Sequence, residues 1–151
     1  MKVHSKKTSF SFLIKLFVFL FLTSQYSFSQ CDTIANFCQK HLINTHITDG
    51  QEYRALLLNN EETAEFKTTF FGETNYRIAA CSGLSDNNLI FSIYDENRNL
   101  LFTNKDFKNA PYWDFQIKNT LDVTIEAKLL QSNNKSGCAV LLIGFKNIFG
   151  K

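Results

Sequence analysis

Eight strand-length runs follow one another through most of this chain, at residues 52–58, 64–71, 76–81, 89–94, 100–103, 112–117, 122–130 and 138–146. Turn-forming clusters fall between them: Asn59-Asn60, Phe71-Gly72-Glu73, Ser82-Gly83, Asp95-Glu96-Asn97, Asn119-Thr120 and Asn133-Asn134. In the seventh run Val123, Ile125, Ala127 and Leu129 alternate with Asp122, Thr124, Glu126 and Lys128, so one face of that strand is buried and the other is wet. The eighth run, Ala139-Val140-Leu141-Leu142-Ile143-Gly144-Phe145, has no alternation, which predicts a central strand covered on both sides. The cover available to it is the segment before the strands, where Ile34, Phe37, Cys38 and Leu42 recur at helical spacing behind the caps Asp32 and Thr33. The expectation is an all-β fold: a single antiparallel β-sandwich of about eight strands, jelly-roll-like, with a short N-terminal helix on one sheet. With 151 residues, one Pro and six Gly, the chain has room for one globular domain and no visible linker or repeat.

The first 29 residues read as an export signal. Basic Lys2, Lys6 and Lys7 precede the apolar run Leu16-Phe17-Val18-Phe19-Leu20-Phe21-Leu22, and small Ser27 and Ser29 suit a cut before Gln30. That core is much shorter than the roughly 18 apolar residues a membrane helix needs, so no stable span is expected after cleavage. A lipoprotein alternative would make Cys31 the acylated first residue. The predicted division is therefore 1–29 signal peptide, 30–48 short helical segment and 49–151 β-sandwich. Cleavage removes Lys2, Lys6, Lys7 and Lys15 and no acid, leaving 12 basic and 14 acidic side chains, so the net charge turns from +2 to −2. A mature chain without cationic excess is a poor ligand for phosphates, and nucleic acid drops out as a partner. The destination is periplasmic or extracellular.

An oxidising destination makes disulfides the default for the four cysteines, Cys31, Cys38, Cys81 and Cys138. Three full pairings exist. The favoured one joins Cys81 with Cys138, which flank predicted strands, and leaves Cys31 with Cys38 through a frayed helix start. No Cys-x2-Cys pair is present, so no metal is expected on the thiolates.

Residues that could carry chemistry are few, and no catalytic group or cofactor is predicted. His41 and His46 are five apart, do not share a helix face and read as solvated; no Gly-x-Ser-x-Gly elbow occurs. Paired acids at Glu61-Glu62, at Asp95-Glu96, and at Asp114 with Asp122 would need environments that separate their pKa values, and most lie in turns or on the wet face. Asp95, Asn97 and Asn99 have the 1, 3, 5 spacing of a calcium loop, but Leu100 replaces the sixth-position Gly and Asp106 the twelfth-position Glu, so a hairpin turn is the favoured reading and calcium a weak one. In Tyr112-Trp113-Asp114-Phe115, alternation assigns Trp113 to the core and leaves Tyr112 and Asp114 as a candidate ligand surface.

The strand pattern resembles that of the pre-peptidase C-terminal-like domains of secreted bacterial proteins, through Ala64-Glu65-Phe66-Lys67, Asn75-Tyr76-Arg77-Ile78-Ala79, and Leu89-Ile90-Phe91-Ser92-Ile93-Tyr94-Asp95 with its turn to Leu100-Leu101-Phe102. The chain is also similar to uncharacterised secreted bacterial β-sandwich proteins with a closing segment like Ser136-Gly137-Cys138-Ala139-Val140-Leu141-Leu142-Ile143-Gly144-Phe145-Lys146. The resemblance implies a sandwich module and transfers no catalytic residue. The expected function is a non-catalytic exported interaction module for a protein or envelope component. A carbohydrate-binding module using Tyr112 and Asp114 is the second reading, and a small secreted hydrolase the third.

Overall fold

The computed structural model describes residues 26–42, 47–130 and 136–147. All but the last four residues of the expected signal, His46 and the Asn133-Asn134 turn lie outside them. Helix α1 (Tyr26–Cys38) leads into the 3₁₀ turn Gln39–His41 and then into eight strands: β1 (Ile47–Leu57), β2 (Ala64–Phe70), β3 (Thr74–Cys81), β4 (Leu89–Asp95), β5 (Leu100–Thr103), β6 (Tyr112–Ile117), β7 (Leu121–Leu129) and β8 (Gly137–Asn147). A second 3₁₀ turn, Asn104–Phe107, links β5 to β6. Residues 31–151 form one compact unit.

The strands pair as a nested hairpin, β1 with β8, β2 with β7, β3 with β6 and β4 with β5, all antiparallel. The long ribbon rolls up when β8 also pairs with β3 and β7 with β4, giving two four-stranded sheets in the orders β1-β8-β3-β6 and β2-β7-β4-β5. That is the jelly roll expected from the sequence. Its main core lies between the sheets and is built from the inward members of each alternating strand, among them Ile78, Phe91, Ile125, Leu141 and Ile143, which are fully buried. Phe70 and Tyr76 pack with ring centroids 4.7 Å apart. Asn104 is the one fully buried polar side chain among the described residues: its Oδ1 accepts from Phe91 N at 2.9 Å, and its Nδ2 donates to Leu89 O and Ala110 O. The amide thus satisfies backbone groups that the short β5 cannot reach.

A second apolar cluster lies on the outer face of the first sheet. Ala79 and Cys81 of β3 stand beside Leu142 and Val140 of β8, and Cys31, Ile34, Ala35, Cys38 and Leu42 cover them. The expected helical cover of β8 is there. The helix differs in two respects from its expected form. It starts before Asp32 and Thr33, which sit inside it rather than cap it, and Phe37 is half-buried beneath Lys40, whose Nζ lies 3.6 Å from the ring centroid.

The disulfides join Cys31 to Cys138 and Cys38 to Cys81, with Cα–Cα distances of 5.5 and 5.8 Å. The expected pairing of Cys81 with Cys138 and Cys31 with Cys38 is corrected by this arrangement, and the reason is geometric. Cys81 faces Val140 across the ladder, so Cys138 is its diagonal neighbour, about 7–8 Å away and beyond disulfide reach. Cys31 and Cys38 are two turns apart on one helix face, about 10 Å along the axis, so each meets a different strand. The bond to Cys138 also occupies the sulfur that a lipid thioether would need.

Because the helix cluster is distinct from the core between the sheets, the two are expected to separate when the staples are removed. Each bond closes a long loop, 107 and 43 residues in sequence, and chain entropy assigns such closures about 4–5 kcal/mol each. In a variant with all four cysteines replaced by alanine, helical ellipticity should be lost at lower urea than the fluorescence of Trp113, which packs against the sandwich core. Coincident transitions would show that helix and sandwich form one unit without the bonds.

Candidate functional site

Strand β6 forms one edge of the first sheet, and its outward residues are Tyr112, Asp114 and Gln116. Register places Arg77 of β3 opposite Asp114 and Ala79 opposite Tyr112. Tyr76 and Ile78 point into the core, so Arg77 must point outward, and it does so beside the end of the helical segment. Its guanidinium donates from Nε to Asp114 Oδ1 at 2.6 Å, from Nη2 to Asp114 Oδ2 at 2.7 Å and from Nη1 to His41 O at 3.1 Å. The Arg77 Cζ lies 4.6 Å from the Tyr112 ring centroid, a cation–π contact, and the His41 ring is 5.3 Å from the same Tyr112 ring. Hydrogen bonding to Asp114, opposed by burial, raises the Arg77 pKa, and the two groups form a bidentate ion pair.

His41 continues the cluster. Its Nε2 donates to Asp86 Oδ1 at 2.9 Å, and Lys40 Nζ donates to Asp86 Oδ2 at 3.2 Å. The His41 side chain is only 10% exposed, which corrects the expectation of a solvated histidine: the 3₁₀ turn folds it between Asp86 and Tyr112. Burial pushes the Asp86 carboxyl up, but the hydrogen bonds from His41 and Lys40 outweigh it and hold the group below the usual carboxylate range.

The Asp95 to Asn99 stretch is a hairpin turn between β4 and β5. Arg98 N donates to Asp95 O, Asp95 N to Asn99 O, and Arg98 adopts a left-handed φ of 64°. Both Asp95 carboxylate oxygens accept from Asn99, one from its backbone N and one from Nδ2, each at 2.8 Å, which lowers the Asp95 pKa. Asn97 is exposed at the turn. Asp114 and Asp122 belong to different sheets, and Asp122 accepts from Thr69 Oγ1, so the structure does not bring those two acids together. Glu62 accepts from Leu58 N, and Glu61 N donates to Asn59 Oδ1.

Two features of the surface were not singled out by sequence. The outer face of β2 and β7, with the turn that follows β4, carries a shallow groove of about 690 Å³ lined by Glu65, Lys67, Thr69, Arg98, Asp122 and Thr124, where Arg98 bridges Glu65 and Glu126. The second is the edge strand β5. Of the four edge strands, β1 carries Asp49, Glu52 and Arg54, β2 carries Glu65 and Lys67, and β6 carries Asp114, but β5 (Leu100–Thr103) has no charge. Leu100 is 54% and Leu101 50% exposed, and Phe107, just beyond, is 46% exposed. Phe102, Phe107 and Trp113 pack together here, with ring centroids 4.2 to 5.6 Å apart, so the exposed leucines border an aromatic cluster. The signal in the sequence was the adjacent Leu100-Leu101, which breaks alternation where no core can take both side chains.

The ion-pair cluster gives two measurable consequences. Asp114→Asn leaves the largely buried Arg77 without its bidentate partner and should destabilise the fold by about 1–2 kcal/mol in urea titrations. The depressed Asp86 favours folding above its unfolded pKa of about 3.9, and that contribution is lost as pH falls through the lower folded value. The acid limb of the stability curve should therefore be shallower in Asp86→Asn than in the parent protein.

No family model matches the chain, and no curated protein matches it. Its resemblance to pre-peptidase C-terminal-like domains thus rests on strand pattern alone. Among solved structures the chain is similar to PliG of Aeromonas hydrophila, a periplasmic lysozyme inhibitor of g-type lysozyme, at 7% identity over 68% of this chain and 93% of that one, with a TM-score of 0.49. A likeness at that level carries no argument about what this chain binds.

Proposed function

We propose that this protein is a non-catalytic exported module that binds another protein along the β5 edge of its sandwich. The observation that carries the reading is the uncharged, apolar rim formed by Leu100, Leu101 and Phe107 on an open strand edge. Edge strands expose unpaired backbone groups and are ordinarily protected by charge; an edge left uncharged, with large apolar side chains beside it, fits recognition by strand addition. Export is supported by the signal-like first 29 residues and by two disulfides, which persist in oxidising compartments. Among the described residues no helix is long and apolar enough to cross a membrane.

Several groups that a hydrolase could use are engaged in other bonds. All four sulfurs are in disulfides, Asp95 is held by Asn99, and Asp114 by Arg77. The carbohydrate reading has less support for the same reason, since Arg77 and His41 lie against the Tyr112 ring on which a sugar would stack.

Placing a charge on the rim tests the proposal. Leu101→Lys should leave stability within about 0.5 kcal/mol, because the side chain is exposed, yet it should abolish crosslinking to a protein of the producing cell's envelope. Leu58→Lys, at a still more exposed leucine outside the rim, should leave crosslinking intact. Crosslinking that survives Leu101→Lys, or binding to a defined glycan that is lost in Tyr112→Ala, would overturn the reading.

A further inference from the structure

We infer that the partner segment received by the β5 edge alternates large apolar residues with acidic ones, and that its acids seat against Lys105 on the outer face of the second sheet. The inference deepens the proposed function and rests on it, because it needs an extended partner along β5. A strand in that position sends successive side chains to opposite faces. Register fixes what each face offers: Phe102 opposes buried Ile93 and turns toward the sandwich interior, whereas Thr103 opposes Ser92 and turns outward. The partner's inner set therefore meets the aromatic cluster, where the exposed Phe107 packs on Phe102 and Trp113. An acid there would lose water against the rings, so this set is apolar.

The outer set meets a different surface. Beside β5 the outer face holds a depression of about 380 Å³ whose lining includes Ser92, Tyr94, Thr103, Lys105, Glu126 and Lys128. The Ser92 and Thr103 hydroxyls bond to each other at 3.0 Å. Lys105 and Lys128 are exposed, and neither has an acidic partner among the described residues. Glu126, the one carboxylate in the lining, accepts from Arg98 Nη2 at 2.5 Å, and Asp106, the acid of the turn that carries Lys105, does not line the depression. Two ammonium groups against one neutralised carboxylate leave it cationic, which an acidic side chain complements. Lys105 lies just past the end of β5, next to the added strand, whereas Lys128 stands on β7 beyond β4 and contributes through its field.

The test titrates the protein, expressed as the full chain in a secreting host, into two fluorescent peptides, one alternating Val with Glu and the other Val with Lys, and reads polarisation. The Val-Glu peptide should bind about tenfold more tightly, as one charge-assisted hydrogen bond implies. Lys105→Glu should reverse that order. Lys67→Glu, the same charge change on the far strand β2, should leave it unaltered, and Leu101→Lys should abolish binding of the Val-Glu peptide. Equal binding of the two peptides, or a reversal by Lys67→Glu as large as that by Lys105→Glu, would overturn the inference while leaving the edge reading intact. Failure of both peptides to bind, or Val-Glu binding that survives Leu101→Lys, would overturn the edge reading and the inference with it.

Discussion

Helix α1 and the β8–β3 pair are held together by covalent bonds at both ends of their contact, and much of the remaining architecture depends on that cover. Strand β8 is apolar on both faces because it sits centrally in its sheet, with Leu141 and Ile143 directed into the sandwich and Val140 and Leu142 directed away from it. Without the helix, Val140 and Leu142 would meet water, each at about 1.5–3 kcal/mol. Between Cys31 and Leu42 the helical segment buries Ile34, Ala35 and Leu42 besides its two cysteines, a small apolar contact for a segment of that length. Bonds from Cys31 to Cys138 and from Cys38 to Cys81 remove its freedom to leave.

The same cover positions the surface chemistry. The 3₁₀ turn that ends the helical segment delivers Lys40 and His41 to Asp86, and the carbonyl of His41 to Arg77. Asp114 completes the chain of contacts at the β6 edge. This side of the molecule is thus closed by charge pairing and a helix, whereas the β5 edge on the other sheet has neither, and the binding proposal follows from that asymmetry. A short strand of four residues with two exposed leucines gains little for folding, so its composition is more readily explained by a contact outside the chain.

The fold was legible in the sequence because sandwich strands announce themselves by period. The alternation of β7 and the continuous apolar run of β8 state which faces are buried, and the structure places one strand with an open face and the other beneath a helix. Disulfide pairing was not legible, because it depends on which strands become neighbours. Cys81 and Cys138 do share a face of adjacent strands, but their diagonal offset leaves each free for a helix cysteine. The site was legible only in part. Tyr112 and Asp114 could be assigned to an outward face by alternation, but Arg77, which engages both, comes from a strand 35 residues earlier whose pairing with β6 exists only once the ribbon has rolled up. His41 shows the same limit: its burial comes from Asp86 and Tyr112, neither of which is near it in sequence.

The account turns on the two helix-to-sheet disulfides, and peptide mapping of the native exported protein under non-reducing conditions tests them most directly. Cleavage at Asp32 separates Cys31 from Cys38, so each bond can be read independently. The account predicts one linked pair containing Cys31 and Cys138 and another containing Cys38 and Cys81. A peptide joining Cys81 to Cys138, or four free thiols, would contradict it.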